Sequence, residues 1–377
     1  MSYPLTEEQR LIGQSASEFA KESLDTIAVD LDRTGNFPKA EIEALAGYDF
    51  LGLLLTAEAG GAEAGFISYV TVVEIIARSC PAVASIVNNH VLAAYAIQKW
   101  GSKEQKQQYL PAFAKGELLG TVAACESGPA GIPNPGTLVA TRQGDGFVLK
   151  GTKNFVKSAG EAGVYVVFAT TDLTTKPIGI TAFIVDARTP GLKVGAKQDT
   201  MGLRGCPVAD LDFDNVFVPE STVLGLANEG AAIVGETLAV ASVAEAAQTV
   251  GIVQAALEHA AAYSKQRIQF GKPIGSFQAI QSLLANVAAN CYAARLAVFD
   301  AAAAIEQGEP FLAEAAMVKL LAIHLGQKSL IDVIQVEGGY GYSEEMPLAR
   351  LYRDVAGTTV RDSPADFPEG LIATEIA

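Results

Sequence analysis

Apolar residues recur at intervals of three and four in Ile12–Phe19, Val70–Ile76 and Val91–Trp100, the spacing that lines one face of an α-helix. The opening residues through Arg10 read as a cap and a first amphipathic turn, and Ser102, after a Gly-Ser break, reads as the N-cap of another helix. From about residue 118 the texture changes to short β-rich runs: Leu118–Cys125, Phe147–Leu149, Val164–Thr170, Ile180–Val185 and Leu211–Val218. Turn residues such as Gly144-Asp145-Gly146 separate them. From about 226 long helical stretches return, notably Ala231–Arg267 and Gln278–Gln307. The pattern predicts an α+β chain with a helical domain over 1–118, a β domain over 119–225 and a helical domain over 226–377. No internal repeat is evident. Residues 231–263 are apolar on nearly every face, with Glu236, Glu245, Glu258 and His259 as exceptions, so this helix is expected in a bundle core extended by oligomerisation.

Bulk properties narrow the class. The chain has 377 residues, 50% hydrophobic and 18% charged, with a mean hydropathy of +0.26, which predicts extensive subunit contacts. No uncharged apolar run of about eighteen residues is expected to span a membrane, and no signal peptide is read at the start. A net charge of −15 argues against nucleic acid as a partner. Cys80, Cys125, Cys206 and Cys291 lie far apart, which suggests neither zinc nor a disulfide framework and points to a reducing, cytoplasmic setting. His90, His259 and His324 have no metal-ligand spacing.

Candidate chemistry is concentrated near the C-terminus, in Gln335-Val-Glu-Gly-Gly-Tyr-Gly-Tyr, then Leu351-Tyr-Arg-Asp-Val, then Arg361-Asp362-Ser363. Further signals are Leu110-Pro-Ala-Phe-Ala-Lys-Gly-Glu, Leu149-Lys-Gly-Thr-Lys-Asn-Phe-Val-Lys, Met201-Gly-Leu-Arg-Gly-Cys-Pro, Arg267-Ile-Gln-Phe-Gly-Lys-Pro-Ile and Glu314-Ala-Ala-Met-Val-Lys-Leu. In this order, over nearly the whole chain, they resemble the acyl-CoA dehydrogenase family. The resemblance implies a middle β-barrel or sandwich domain between an N-terminal helical domain and a C-terminal four-helix bundle. It implies FAD, held by Arg267, Phe270, Gln278, Gln335, Gly338 and Gly339 at the pyrophosphate and adenylate, and by Cys125, Phe155 and Lys157 at the flavin edge. A guanidinium suits a doubly charged pyrophosphate, and paired glycines let backbone approach a ligand. In the family the arginine reaches FAD of a neighbouring subunit, so a homotetramer, a dimer of dimers, is implied.

The resemblance also implies α,β-dehydrogenation of an acyl-CoA, with electrons passed to an electron-transfer flavoprotein. The family's base is a Glu nine residues after the Arg of the Arg-Asp pair; counting nine from Arg353 reaches Asp362. Glu369, in Pro-Glu-Gly, falls seven residues late. An Asp reaches roughly 1.5 Å less than a Glu, and a misplacement of that size costs about a hundredfold in rate. A short, branched or alicyclic acyl group, whose α-carbon sits nearer the base, is therefore expected. Glu245, in an apolar segment with a carboxyl expected to be raised by desolvation, and His90 are the alternative bases, with a structural role weighed against each. Substrate contacts fall on His90, Gly131, Ser242 and Glu245. The family's CoA-facing acid and arginine read here as Ala239 and Ser242, and the residue whose N–H would bind the thioester carbonyl is Pro364, which has none. Lys157 stands where a Thr is common; it is expected to point outward, whereas an inward ammonium would favour reduced, anionic flavin. Two rival readings are an enoyl-CoA reductase on the same fold and a non-catalytic flavin- or CoA-binding subunit of a hetero-oligomer.

Overall fold

The computed structural model describes residues 3–126, 137–175, 178–359 and 372–373. The chain opens with α1 (Glu7–Phe19), α2 (Ala28–Thr34), α3 (Lys39–Ala46), α4 (Gly65–Ser79), α5 (Pro81–Trp100) and α6 (Lys103–Ala114). Capping boxes begin α1 and α6: Thr6 Oγ1 accepts from the Gln9 N–H and Ser102 Oγ from the Gln105 N–H, both at 3.2 Å. Each glutamine oxygen accepts the cap N–H in return, at 2.9 Å.

Eight strands follow: β1 (Gly120–Ala123), β2 (Leu138–Gln143), β3 (Gly146–Lys157), β4 (Val164–Asp172), β5 (Gly179–Asp186), β6 (Leu192–Val194), β7 (Val208–Pro219) and β8 (Val223–Leu224). Their order is β6-β7-β3-β2-β4-β5-β8, with β1 parallel to β4. β1 and β2 succeed one another along the same edge of β4, β2 pairing only at Val139–Thr170. The sheet packs Leu149, Tyr165, Phe183 and Leu211 into a core of its own.

The C-terminal part contains α7 (Gly230–Gln266), a hairpin of β9 (Ile268–Gln269) and β10 (Lys272–Pro273), then α8 (Gln278–Gln307), α9 (Leu312–Glu337) and α10 (Pro347–Gly357). α7 touches α4, α5, α8, α9, α10 and β5, which is why it is apolar all round. The two helical parts share one core, in which Phe19, Ile76 and Val87 join Val250, Val298, Val333 and Leu351. A second core, with Ile97, Phe113, Val166, Ile184 and Leu238, binds α5, α6 and α7 to the sheet.

α7 and α8 are each long and apolar enough to cross a bilayer, although 78% of the apolar window of α7 is buried within the fold. The window of α8 is only 28% buried, and Tyr292 and Leu296 on α8 and Ile331 on α9 are exposed.

All three parts of the chain meet at the start of the C-terminal segment. Arg353 of α10 donates to Asp32 of α2 at 2.6 and 2.5 Å and to the Met201 carbonyl at 3.1 Å. Its neighbour Asp354 accepts the Leu203 N–H at 2.7 Å. Between these contacts Gly202 lies against α10, where an added Cβ would come within 2.2 Å of the Arg353 carbonyl oxygen. Gly202→Ala is therefore expected to lower stability by about 1–3 kcal/mol, since backbone must withdraw from backbone. Urea unfolding followed by circular dichroism, with fluorescence of Trp100 as a second probe, would check this.

Candidate active site

A narrow cleft of about 20 Å³ forms where β3 ends against α5 and α7, lined by Asn89, Leu92, Cys125, Phe155, Lys157 and Ala241 among others. A neighbouring cavity of about 270 Å³ has Ser85, Met201, Leu203, Ala356 and Gly357 in its wall. Phe155 and Lys157 line both. A register shift between Lys153 and Val156, with Phe155 at φ 56°, breaks the strand alternation, so consecutive residues from Asn154 to Lys157 face the cleft. Asp210 holds that turn by accepting the Phe155 N–H at 2.9 Å. Cys125 is fixed through its backbone: its carbonyl accepts the Asn154 N–H at 3.0 Å. On either side of it, Lys153 donates to the Ala124 carbonyl at 3.3 Å and to Glu126 at 2.6 Å, both charged groups being buried.

Lys157 points inward, contrary to expectation. Its Nζ donates to Glu245 Oε1 at 2.7 Å, and Lys319 of α9 donates to the other oxygen at 2.6 Å. Burial alone would raise the Glu245 carboxyl, but the two ammoniums outweigh it and hold it well below the usual carboxylate range. This reverses the expected upward shift. Glu245 is a fixed anion, so it is not poised to take up a proton near neutrality. Beneath it runs a buried polar network: Tyr69 donates to Asn88 at 3.1 Å, Asn88 to Gln248 at 3.4 Å, and Gln248 to Ser85 at 2.8 Å.

A second site is an open groove of about 670 Å³ that brings together Arg267, Phe270, Gln335, Gly338 and Gly339. The Arg267 guanidinium lies 5.6 Å from the Tyr340 ring centroid. A Cβ added at Gly338 or Gly339 would meet nothing within 4 Å, so this backbone lies open to a ligand. Phe270 is 92% exposed at φ 51°. Gln278 begins α8, exposed, while Phe277 and Ile280 supply the wall there. At the inner wall Glu337 Oε1 lies 2.8 Å from His259 Nε2. A cation, bare backbone and aromatic rings here, with Phe155 and Lys157 in the cleft wall, fit the phosphate and ring ends of FAD.

Three predicted substrate contacts line neither cavity, and of these Glu245 meets the wall through the Lys157 side chain. His90 turns away from it: its Nδ1 accepts the Gly120 N–H at 3.2 Å, its ring packs 5.0 Å from Phe113, and burial pushes its pKa down to about 4. Neighbouring Asn89 faces the cleft instead. Ser242 donates to the Leu238 carbonyl at 2.9 Å and lines neither cavity. Gly131, Asp362, Pro364 and Glu369 lie outside the described residues. Lys319 received no role from the sequence, yet a lone lysine among Ala316, Met317, Val318, Leu320 and Leu321 signals a buried charge with a buried partner.

Three family descriptions match in chain order: "Acyl-CoA dehydrogenase, N-terminal domain" over residues 6–117, "middle domain" over 129–216 and "C-terminal domain" over 228–362. The 3-(aryl)acrylate reductase of Clostridium sporogenes (strain ATCC 15579) is 36% identical over 372 residues, covering 98% of this chain and 99% of that protein. The short-chain specific mitochondrial acyl-CoA dehydrogenase of Homo sapiens is 36% identical over 373 residues, covering 99% and 90%. Among solved structures, a chain described under "Electron transferring flavoprotein of Acidaminococcus fermentans: Towards a mechanism of flavin-based electron bifurcation" superimposes with a TM-score of 0.96 at 32% identity, covering 100% of this chain and 99% of that one.

The ion cluster carries its own test. Glu245→Gln leaves two buried ammoniums without their shared anion and is expected to cost about 3–5 kcal/mol. Because the folded carboxyl sits below its unfolded value, near 4.3, this contribution is present above that pH and lost as pH falls through the folded value. Urea midpoints of wild type and variant should converge on acidification below about pH 4.

Proposed function

The chain belongs to the acyl-CoA dehydrogenase family, FAD-dependent oxidoreductases acting on CH–CH bonds; from that premise we propose that it dehydrogenates a short, branched or alicyclic acyl-CoA thioester, with Asp362 as the base. One observation carries this reading: Cys125, Phe155, Lys157 and the end of α10 converge on adjoining cavities. Ala356 and Gly357 line the larger one, and Thr358 Oγ1 lies 2.9 Å from Thr249 Oγ1, one turn beyond Glu245. Asp362 is three residues beyond Thr359, a span of at most about 10 Å. That supports a carboxylate delivered to the cleft.

FAD supplies a two-electron acceptor. The protein's own work is to seat the ring against Phe155, to fix the surrounding backbone through the Lys153–Glu126 pair, and to take the α-proton on Asp362. Arg267, Gln335, Gly338 and Gly339 would hold the phosphates and adenylate. The exposed apolar residues of α8 and α9, Tyr292, Leu296 and Ile331, support a homotetramer with the bundles in contact. An electron-transfer flavoprotein is the proposed acceptor, consistent with the Acidaminococcus likeness. The likeness to a reductase at 36% identity favours one second reading, reduction of an enoyl thioester on the same site.

Asp362→Asn is expected to keep its FAD and lose flavin bleaching by a short acyl-CoA panel by at least about a hundredfold. Anaerobic stopped-flow absorbance measures this. A variant that bleaches at the wild-type rate would remove Asp362 from the role, and a wild-type holoprotein that bleaches with no thioester would remove dehydrogenation itself.

A further inference from the structure

Lys157 is the charged side chain shared by both cavity walls at the end of β3, and it is only 12% exposed. A lysine ordinarily extends its ammonium into water. Here Glu245 draws it under the sheet edge, and Lys319, 2% exposed, fixes the other carboxylate oxygen. Glu245 belongs to the rigid middle of α7, and Lys319 to α9, so the ammonium is positioned by two helices that pack along their length. The pair is largely buried, so its field is screened less than it would be at the surface.

We propose that Lys157, positioned by Glu245 and Lys319, acts as a fixed cation at the wall of the flavin cleft that stabilises negative charge on the reduced ring and so sets the direction of the reaction. This rests on the FAD reading above. Breaking the two C–H bonds sends one proton to the base and one hydride, carrying two electrons, to the ring. A ring that has gained a hydride and no further proton bears one negative charge, and a nearby ammonium lowers its energy relative to the oxidised, neutral ring. A ring that is easier to reduce withdraws electrons from a saturated thioester more readily and returns them to an enoyl thioester less readily. The effect follows from the sign of the Lys157 charge, whatever other groups the cluster contacts.

The experiment uses FAD-loaded holoprotein and two readouts that need no turnover: the two-electron midpoint potential, and the affinity for sulfite, whose adduct with oxidised flavin is anionic. Lys157→Met is expected to weaken sulfite binding at least tenfold and to lower the potential by about 30 mV for each tenfold change. Lys157→Arg should stay within about threefold of wild type, because charge is kept while shape changes. Lys157→Gln, which still donates to Glu245, should follow Lys157→Met and serves if that variant loads FAD poorly. Unchanged potential and sulfite affinity in a loaded Met or Gln variant would overturn the inference while leaving the FAD reading intact. An arginine variant that behaves like the methionine one would overturn it too, by assigning Lys157 a packing role. A wild-type chain that takes up no FAD would instead defeat the underlying reading.

Discussion

The bridge from Lys157 through Glu245 to Lys319 joins the end of β3 to α7 and α9, and the site takes its geometry from that junction. α7 can be apolar on every face only because other elements enclose it. A charge in its middle is tolerable only if partners reach it from those elements. The other polar residues on this helix follow the same rule. Glu236 meets Lys99 and Tyr95 of α5, Glu258 meets Arg78 of α4, and His259 meets Glu337 at the end of α9. These exceptions to the apolar pattern are thus tethers to β3, α4, α5 and α9, and together they fix the rotation of α7 about its own axis. Ala241 faces the cleft as a consequence, and Glu245, one turn further, faces the lysines beneath it.

Arg353 and Asp354 do the corresponding work for the C-terminal segment. They tie α10 to α2 and to the loop at Met201–Leu203, so parts of the chain more than 300 residues apart share one hydrogen-bonded corner. Gly202 makes this closeness possible, because a side chain there would strike the α10 backbone. The close approach places Ala356 and Gly357 on the same cavity as Lys157. The sheet presents the cleft-facing residues, the bundle anchors Lys157, and α10 is fixed through Arg353.

Much of this was legible in the sequence, for reasons that differ by residue. The helices announce themselves because three-and-four spacing survives over many turns, and α8 matches the expected span Gln278–Gln307. β2 escaped notice because Thr141-Arg-Gln leaves its outer half polar, as befits its exposed end. Arg267 and Phe270 stand in one motif and Gln335, Gly338 and Gly339 in another, so each set was readable locally, and the fold brings the two to one groove. Side-chain direction was not readable. Nothing in Phe-Val-Lys shows that the bulge before Val156 turns the lysine inward, or that a residue of α9, 162 positions later, awaits it there. His90 misled for a simpler reason: on a helix buried along nearly its whole length, one step in sequence rotates a residue by about 100°, and the cleft took Asn89.

The two alternative bases fail on different physical grounds, and that bears on where the proton can go. His90 is too weakly basic at a pKa of about 4 and faces Phe113. Glu245 is held as an anion by two ammoniums, so protonating it would forfeit both charge-assisted contacts. Ser242 spends its hydroxyl on the Leu238 carbonyl. Lys157, in the wall of both cavities, donates to Glu245, and Asp199 lines the larger cavity. Neither alternative base is placed to take the α-proton, which leaves that role in our proposal to Asp362, three residues beyond Thr359. If Lys157 supplies the positive charge as proposed, held by α7 and α9, a short acid at Asp362 would have the single task of standing close to one C–H bond.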